Sequence, residues 1–170
     1  MANDRRRMKG RRESGSFVLM PHCVIDSGNW TRCGGSATRL LLELARQYNG
    51  QNNGDLCASI SVLKRSGWRS SDVLSHALAE LRHYGFIELT RQGGLHRASL
   101  YALAWKPIDT CKDKLDVSAT NTASHAYRTP KPKYQRPPRG TKASPNSGQR
   151  SSVFRINGKA RETHSTGIRS

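Results

Sequence analysis

The chain has 170 residues, with 29 Lys and Arg against 12 Asp and Glu, a net charge of +17 and only 35% apolar residues. Its length suits one domain with terminal arms. No apolar run reaches the roughly 18 residues of a membrane span, so we expect no membrane partner and a cytoplasmic location. The four cysteines include no C-x-x-C pair, which argues against a zinc ribbon or a disulfide scaffold and favours reduced thiols.

The charge is distributed unevenly along the chain. Residues 1–16 carry +4, residues 17–109 carry +3 and residues 110–170 carry +10. The last part has no acidic residue from Val117 to Arg161 and contains five of the seven prolines. Such a composition buries too little apolar surface to offset about 1–2 kcal/mol of backbone entropy per ordered residue. We therefore predict a disordered basic arm over 1–16, a folded domain over 17–109 and a disordered, Pro-rich basic tail over 110–170.

Two helices are predicted in the first half of the domain. Ser36 is a good N-cap, and apolar residues recur at helical spacing from Ala37 to Tyr48. A polar turn and a minimal strand over Leu56–Ala58 follow. Ser59 then caps a short helix that ends at Gly67.

A third helix and a hairpin complete the domain. After a tight connection at Trp68 and Arg69, Ser70 or Ser71 begins a helix with one leucine-rich face that ends before Gly85. The alternating segments Phe86–Thr90 and Ser99–Trp105 predict two strands, joined by a loop with two glycines. The fold class is therefore mostly α with a small β-hairpin, an α+β domain.

This order of elements resembles the winged helix-turn-helix fold. The segments MPHCVIDS, SATRLLLELARQYNGQNNGDLCAS, KRSGWRS, ELRHYGFIELTRQGG and SLYALAW, between Met20 and Asp109, resemble small helix-turn-helix proteins of bacteria and their mobile elements. Relatives of those proteins include the DNA-binding parts of phage and plasmid replication proteins. The resemblance covers neither arm. It implies a nucleoid-associated bacterial protein that binds double-stranded DNA, in replication initiation or transcriptional regulation of a phage, plasmid or other mobile element.

In this fold the helix after the turn enters the major groove, with its N-terminal side chains nearest the bases. The candidate base-contacting residues are Arg69, Ser70, Ser71, Ser75 and His76. The candidates for phosphate or groove contact are Lys64, Arg65, Arg82, His83, Arg91 and Arg97. Asp72 is the acidic exception in the first turn, and we expect its carboxylate to interact favourably with the helix dipole.

Enzymatic features are weak. The carboxylates of residues 17–109 form no acidic pair or triplet, and Gly34–Thr38 lacks the Gly-Lys-Ser/Thr ending of a nucleotide-binding loop. His76, Glu80 and His83 share a helical stripe, but the two histidines would lie about 10 Å apart along the axis, too far to share one ion. We expect no catalytic residues, no cofactor and no metal.

Two other functions stay open. The tail places Tyr127 and Tyr134 among lysines and arginines, a pattern that could bind RNA or single-stranded DNA by stacking on unpaired bases. Alternatively, the domain could be a protein-interaction adaptor, with the alternating segment SVFRIN at 152–157 as a docking peptide. The sequence leaves the oligomeric state open.

Overall fold

The computed structural model describes residues 16–137. This part of the chain contains four α-helices and one small antiparallel sheet, so the predicted α+β class is confirmed. The elements are α1 (His22–Ile25), α2 (Gly35–Gln47), β1 (Leu56–Cys57), α3 (Ile60–Leu63), α4 (Ser71–His83), β2 (Ile87–Arg91) and β3 (Leu100–Leu103). Within residues 16–137 no helix is both long and apolar enough to cross a bilayer.

The two long helices form the centre of the core. α2 buries Leu40, Leu41 and Leu44, as its periodicity predicts. The predicted cap at Ser36 is wrong, since the N-cap is Gly34 and the helix starts at Gly35. The Gly34 N–H donates to a Glu80 carboxylate oxygen of α4 at 2.7 Å, which links the two helices at this end. The start of α4 is as predicted.

The sheet has the order β1-β3-β2, and both pairings are antiparallel. β1 pairs with β3 through Leu56 opposite Tyr101, and β2 pairs with β3 through Ile87 opposite Leu103. All four residues of β3 are buried, since it is the central strand. The observed ends of β2 and β3 lie within two residues of the ends predicted for the two strands of the hairpin.

The chain after β3 corrects the predicted domain boundary. The composition predicts a disordered tail from residue 110 onward, yet Tyr127 is only 1% exposed and its ring stacks on Phe86 at 5.9 Å between centroids. A Cβ on Gly85 would lie 2.8 Å from the backbone of Ala126, so the two segments are in close contact. The compact unit that contains the domain extends to Arg136 rather than ending at Asp109.

Composition gave the wrong prediction for residues 110–137 because it averages over a long stretch of sequence. A few anchors such as Tyr127 and the half-buried Tyr134 hold a segment whose overall composition is typical of disorder. The predictions for residues 1–15 and 138–170, including the SVFRIN segment, lie outside the described residues.

Candidate nucleic-acid interface

The turn before α4 is held rigidly against the core. Gly67 takes a left-handed conformation with φ of +83° that closes the short helix. Trp68 follows it and is 5% exposed, and its backbone N–H donates to Leu63 O at 3.3 Å. The Arg39 guanidinium lies 5.3 Å from the centroid of the Trp68 ring. Because the turn is anchored on both sides, the start of α4 has a defined position.

Ser70 is the N-cap of α4, which confirms one of the two predicted starts. Its hydroxyl accepts a hydrogen bond from the Val73 N–H at 3.3 Å. This candidate base-contacting side chain is therefore engaged with the helix backbone. Arg69, just before it, is exposed.

One stripe of α4 is open to solvent. Ser71, Ser75, Ala79 and Arg82 are all exposed, whereas Leu74, Ala77 and Leu81 are buried on the opposite side. The spacing of three and four residues places the exposed side chains in one row along the helix. Small side chains thus occupy the first two turns, and a cation stands at the end of the row.

The neighbouring stripe is engaged within the protein. His76 Nε2 lies 3.3 Å from Asp72 Oδ1, and the Arg136 guanidinium donates to Asp72 Oδ2 at 2.5 Å. Asp72, which we expected to interact mainly with the helix dipole, therefore has two side-chain partners. His76, a predicted base-contacting residue, is half-buried beside it.

Two predicted phosphate contacts are used inside the fold. His83 Nε2 lies 2.8 Å from Pro132 O, and its ring lies 5.6 Å from that of Tyr134. The Arg91 guanidinium donates to Ala98 O at 3.0 Å, across the base of the hairpin loop. Neither side chain extends freely into solvent, since both are half-buried.

The remaining predicted cations are exposed. Lys64 and Arg65 lie in the short 3-10 turn Lys64–Ser66, which directly precedes Gly67. Arg97 is exposed in the hairpin loop. Its backbone N–H donates to Gly94 O at 3.2 Å and closes the tip of the loop. These three cations flank the open stripe of α4 in the sequence on both sides.

Sequence reasoning missed two features of this surface. Leu95 at the hairpin tip is 90% exposed, and a single leucine within the polar loop GGLHR was the available signal. The second feature is the packing of residues 129–136 beside α4, for which no local sequence signal exists. This segment brings Lys131, Lys133 and Arg136 to the surface.

The residues of α4 that suggested a weak metal site have other partners. Glu80 accepts from the Gly34 N–H, while His76 and His83 face Asp72 and Pro132. Among residues 16–137, no group of three His, Cys, Asp or Glu side chains is arranged to hold a metal ion.

The candidate interface thus combines an open row of small side chains on α4 with cations on the preceding turn and the hairpin. Exposed arginine and lysine side chains of this kind suit a polyanion, since they can contact phosphates while small polar groups approach closely. No protein-family model, curated protein or solved structure matches the chain.

Proposed function

We propose that this chain is a non-enzymatic, sequence-preferring protein that binds double-stranded DNA through a winged helix-turn-helix. The observation that carries the proposal is the open stripe of α4, which starts at an anchored turn and is flanked in the sequence by exposed cations. The order of α2, α3 and α4, followed by the β2–β3 hairpin, supports the same fold. In this arrangement α4 occupies the major groove, which is about 12 Å wide and accepts one helix.

The positions of the side chains suggest a division of roles. Arg69, Ser71 and Ser75 lie at the N-terminal end of α4 and are the side chains nearest the bases. Lys64 and Arg65 on the preceding turn contact the phosphates on one side of the groove. Arg97 at the hairpin tip contacts the backbone or enters the minor groove beyond.

The stacking function proposed for the tail is less well supported. Tyr127 is buried and stacked on Phe86, and Tyr134 packs on His83. Burial raises the pKa of the Tyr134 phenol, the Glu80 charge raises it further, and Arg136 lowers it, as expected for a ring packed against the domain. Since neither ring is free to stack on an unpaired base, duplex DNA is the better candidate partner than RNA or a single strand.

We propose the biological role on the resemblance of the sequence alone. Replication initiation or transcriptional regulation of a phage, plasmid or other mobile element requires a protein that recognises one origin or operator among many competing sites. A base-contacting helix supplies that discrimination, and cations outside it supply affinity that does not depend on sequence.

Selection of bound sequences from random duplex DNA with the full chain tests this function. We expect one enriched motif. Arg69→Ala should reduce discrimination between that motif and a scrambled duplex by about 1–3 kcal/mol, or about 5- to 150-fold. Arg46→Ala is the matched control. Arg46 is an exposed arginine of α2 that pairs with Glu43 and is not among the proposed DNA contacts.

Two results would contradict the proposal. If random duplexes were retained without any enriched motif, the chain would have no sequence preference. Equal effects of Arg69→Ala and Arg46→Ala on discrimination would mean that the start of α4 is not the base-contacting element.

A further inference from the structure

Residues 129–136 form an extended segment beside α4, which we call the strap. Pro132 O lies 2.8 Å from His83 Nε2 at the C-terminal end of α4, whereas Arg136 pairs with Asp72 in its first turn. The strap therefore runs antiparallel to the helix. It borders the stripe of α4 that lies next to the exposed serines.

The strap is attached by hydrogen bonds to buried side chains. Asn29 is 1% exposed; its amide nitrogen donates to Thr129 O at 2.8 Å, and its amide oxygen accepts from the Lys131 N–H at 2.9 Å. The Tyr84 hydroxyl accepts from the Tyr134 N–H at 2.9 Å. Detaching the strap would leave the buried amide oxygen of Asn29 without its hydrogen-bond donor. It is thus a fixed part of the surface, unlike a tail that opens and closes.

The cations of the strap are exposed. Lys131 and Lys133 alternate with Pro132 and Tyr134, the two residues that contact His83. Both lysines are exposed. A helix inserted into a groove has a phosphate backbone along each side, which is where cations at the edge of α4 would lie.

Arg136 has a different task, which concerns the acidic residue of the interface. Asp72 lies in the first turn of α4, among the candidate base-contacting residues, where an unpaired carboxylate would repel phosphates. The ion pair with Arg136 offsets this charge at 2.5 Å, and both side chains are about half exposed. The strap therefore makes the electrostatics of α4 more favourable to an anion.

We infer that the strap is a second phosphate-binding element of the same interface, in which Lys131 and Lys133 contact the DNA backbone and Arg136 screens Asp72. This inference rests on the proposed function, because the partner is the duplex that α4 binds. It assigns affinity to the strap and sequence preference to α4.

The test uses the full chain with Lys131→Ala or Lys133→Ala. Each variant should bind the preferred duplex and a scrambled duplex more weakly by the same factor. The slope of log affinity against log salt should become less steep by about 0.9 per lost phosphate contact. Lys112→Ala is the matched control, since Lys112 is an exposed lysine outside the strap. Thermal melting confirms that each variant is folded.

Several outcomes would overturn the inference. A slope that changes no more than in Lys112→Ala would show that the strap lysines touch no phosphate. Tighter binding would show that the strap covers the DNA site instead. An effect confined to RNA would assign the strap to another partner. If the wild-type chain has no preferred duplex, the proposed function fails, whereas an unchanged slope in the strap variants with the preference retained contradicts only the strap.

A double-mutant cycle tests the role of Arg136. Arg136→Ala should weaken binding more than Lys133→Ala, because it also exposes the Asp72 charge. In an Asp72→Asn background, the loss caused by Arg136→Ala should shrink by severalfold. Equal losses in both backgrounds would contradict screening of Asp72 by Arg136.

Discussion

Single thiols of this chain differ in their chemistry. Cys23 is exposed, and its sulfur lies 3.3 Å from the Tyr127 hydroxyl. This hydrogen bond lowers the pKa of the Cys23 thiol, and Arg128 adds to the effect. Burial raises the pKa of Cys33 to about 11, with a further contribution from Glu80. Since the thiolate is the reactive form, the two thiols should react at different rates.

We expect Cys23 to be alkylated first when the folded protein is treated with limiting iodoacetamide near pH 8. Peptide mass spectrometry after a time course gives the rate at each cysteine. Tyr127→Phe removes the hydroxyl while it keeps the ring, so the pH at which Cys23 reacts at half its maximal rate should rise. Equal rates at Cys23 and Cys33 in the folded wild type would contradict these assignments.

Asn29 is the residue on which the attachment of the strap depends most. The two hydrogens of its amide nitrogen are shared among Tyr84 O at 3.2 Å, Tyr127 O at 2.9 Å and Thr129 O of the strap, and its amide oxygen accepts from the Lys131 N–H. Asn29→Ala should lower the free energy of unfolding by about 2–4 kcal/mol, because several buried backbone groups lose their partner. Urea denaturation measures the change. Asn121→Ala, at an exposed asparagine, should change the free energy of unfolding by less than about 0.5 kcal/mol.

At the scale of elements, α4 depends on its N-cap residue, Ser70. Ser70→Ala removes the hydroxyl that accepts from the Val73 N–H, so it should lower the free energy of unfolding by about 0.5–2 kcal/mol. Ser71→Ala, one position later in an exposed site, should have little effect on stability. Thermal or urea denaturation of both variants checks the assignment. A larger loss of stability in Ser71→Ala than in Ser70→Ala would show that Ser71, rather than Ser70, caps the helix.

The same two variants separate capping from base contact. Ser71→Ala should change DNA discrimination without loss of stability, if its hydroxyl faces the groove as proposed. Ser70→Ala should reduce stability first, and its effect on DNA binding should follow the population of folded helix.

The helices and the hairpin could be predicted because their signals are local. The apolar spacing of α2 and α4 and the cap at Ser70 are properties of a few neighbouring residues. The strap could not be predicted, since Asn29 and Thr129 are 100 positions apart in the sequence. The contact of His83 could not be predicted for the same reason. Its partner Pro132 lies 49 positions away in the sequence, and no recognisable pattern links the two residues.

The candidate site was predictable to the extent that it depends on helix periodicity. Exposure of Ser71, Ser75 and Arg82 follows from the burial of leucines on the other side of α4. The pairing of Asp72 with Arg136 needed the fold, because a segment distant in sequence supplies the arginine. The hydrogen bond of Arg91 also needed the fold, since its partner Ala98 O is positioned by the hairpin loop.

At the scale of the whole molecule, the charge is divided between the described domain and the two ends of the chain. Residues 16–137 hold 16 basic and 9 acidic side chains, a net charge of +7. The other +10 lies in residues 1–15 and 138–170. All the candidate base-contacting residues belong to the first part. Under the proposed function, the two ends of the chain add affinity that depends on charge alone, and residues 16–137 supply the sequence preference.

A fragment of residues 16–137 should consequently keep the preferred duplex of the full chain while it loses affinity for every duplex. The slope of log affinity against log salt should become less steep by about 0.9 for each phosphate that the removed cations neutralised. Binding isotherms from 50 to 200 mM salt, with the preferred and a scrambled duplex, give both quantities. Thermal melting of the fragment provides the folding control. Loss of the preference in a folded fragment would mean that the ends of the chain, rather than α4, select the sequence.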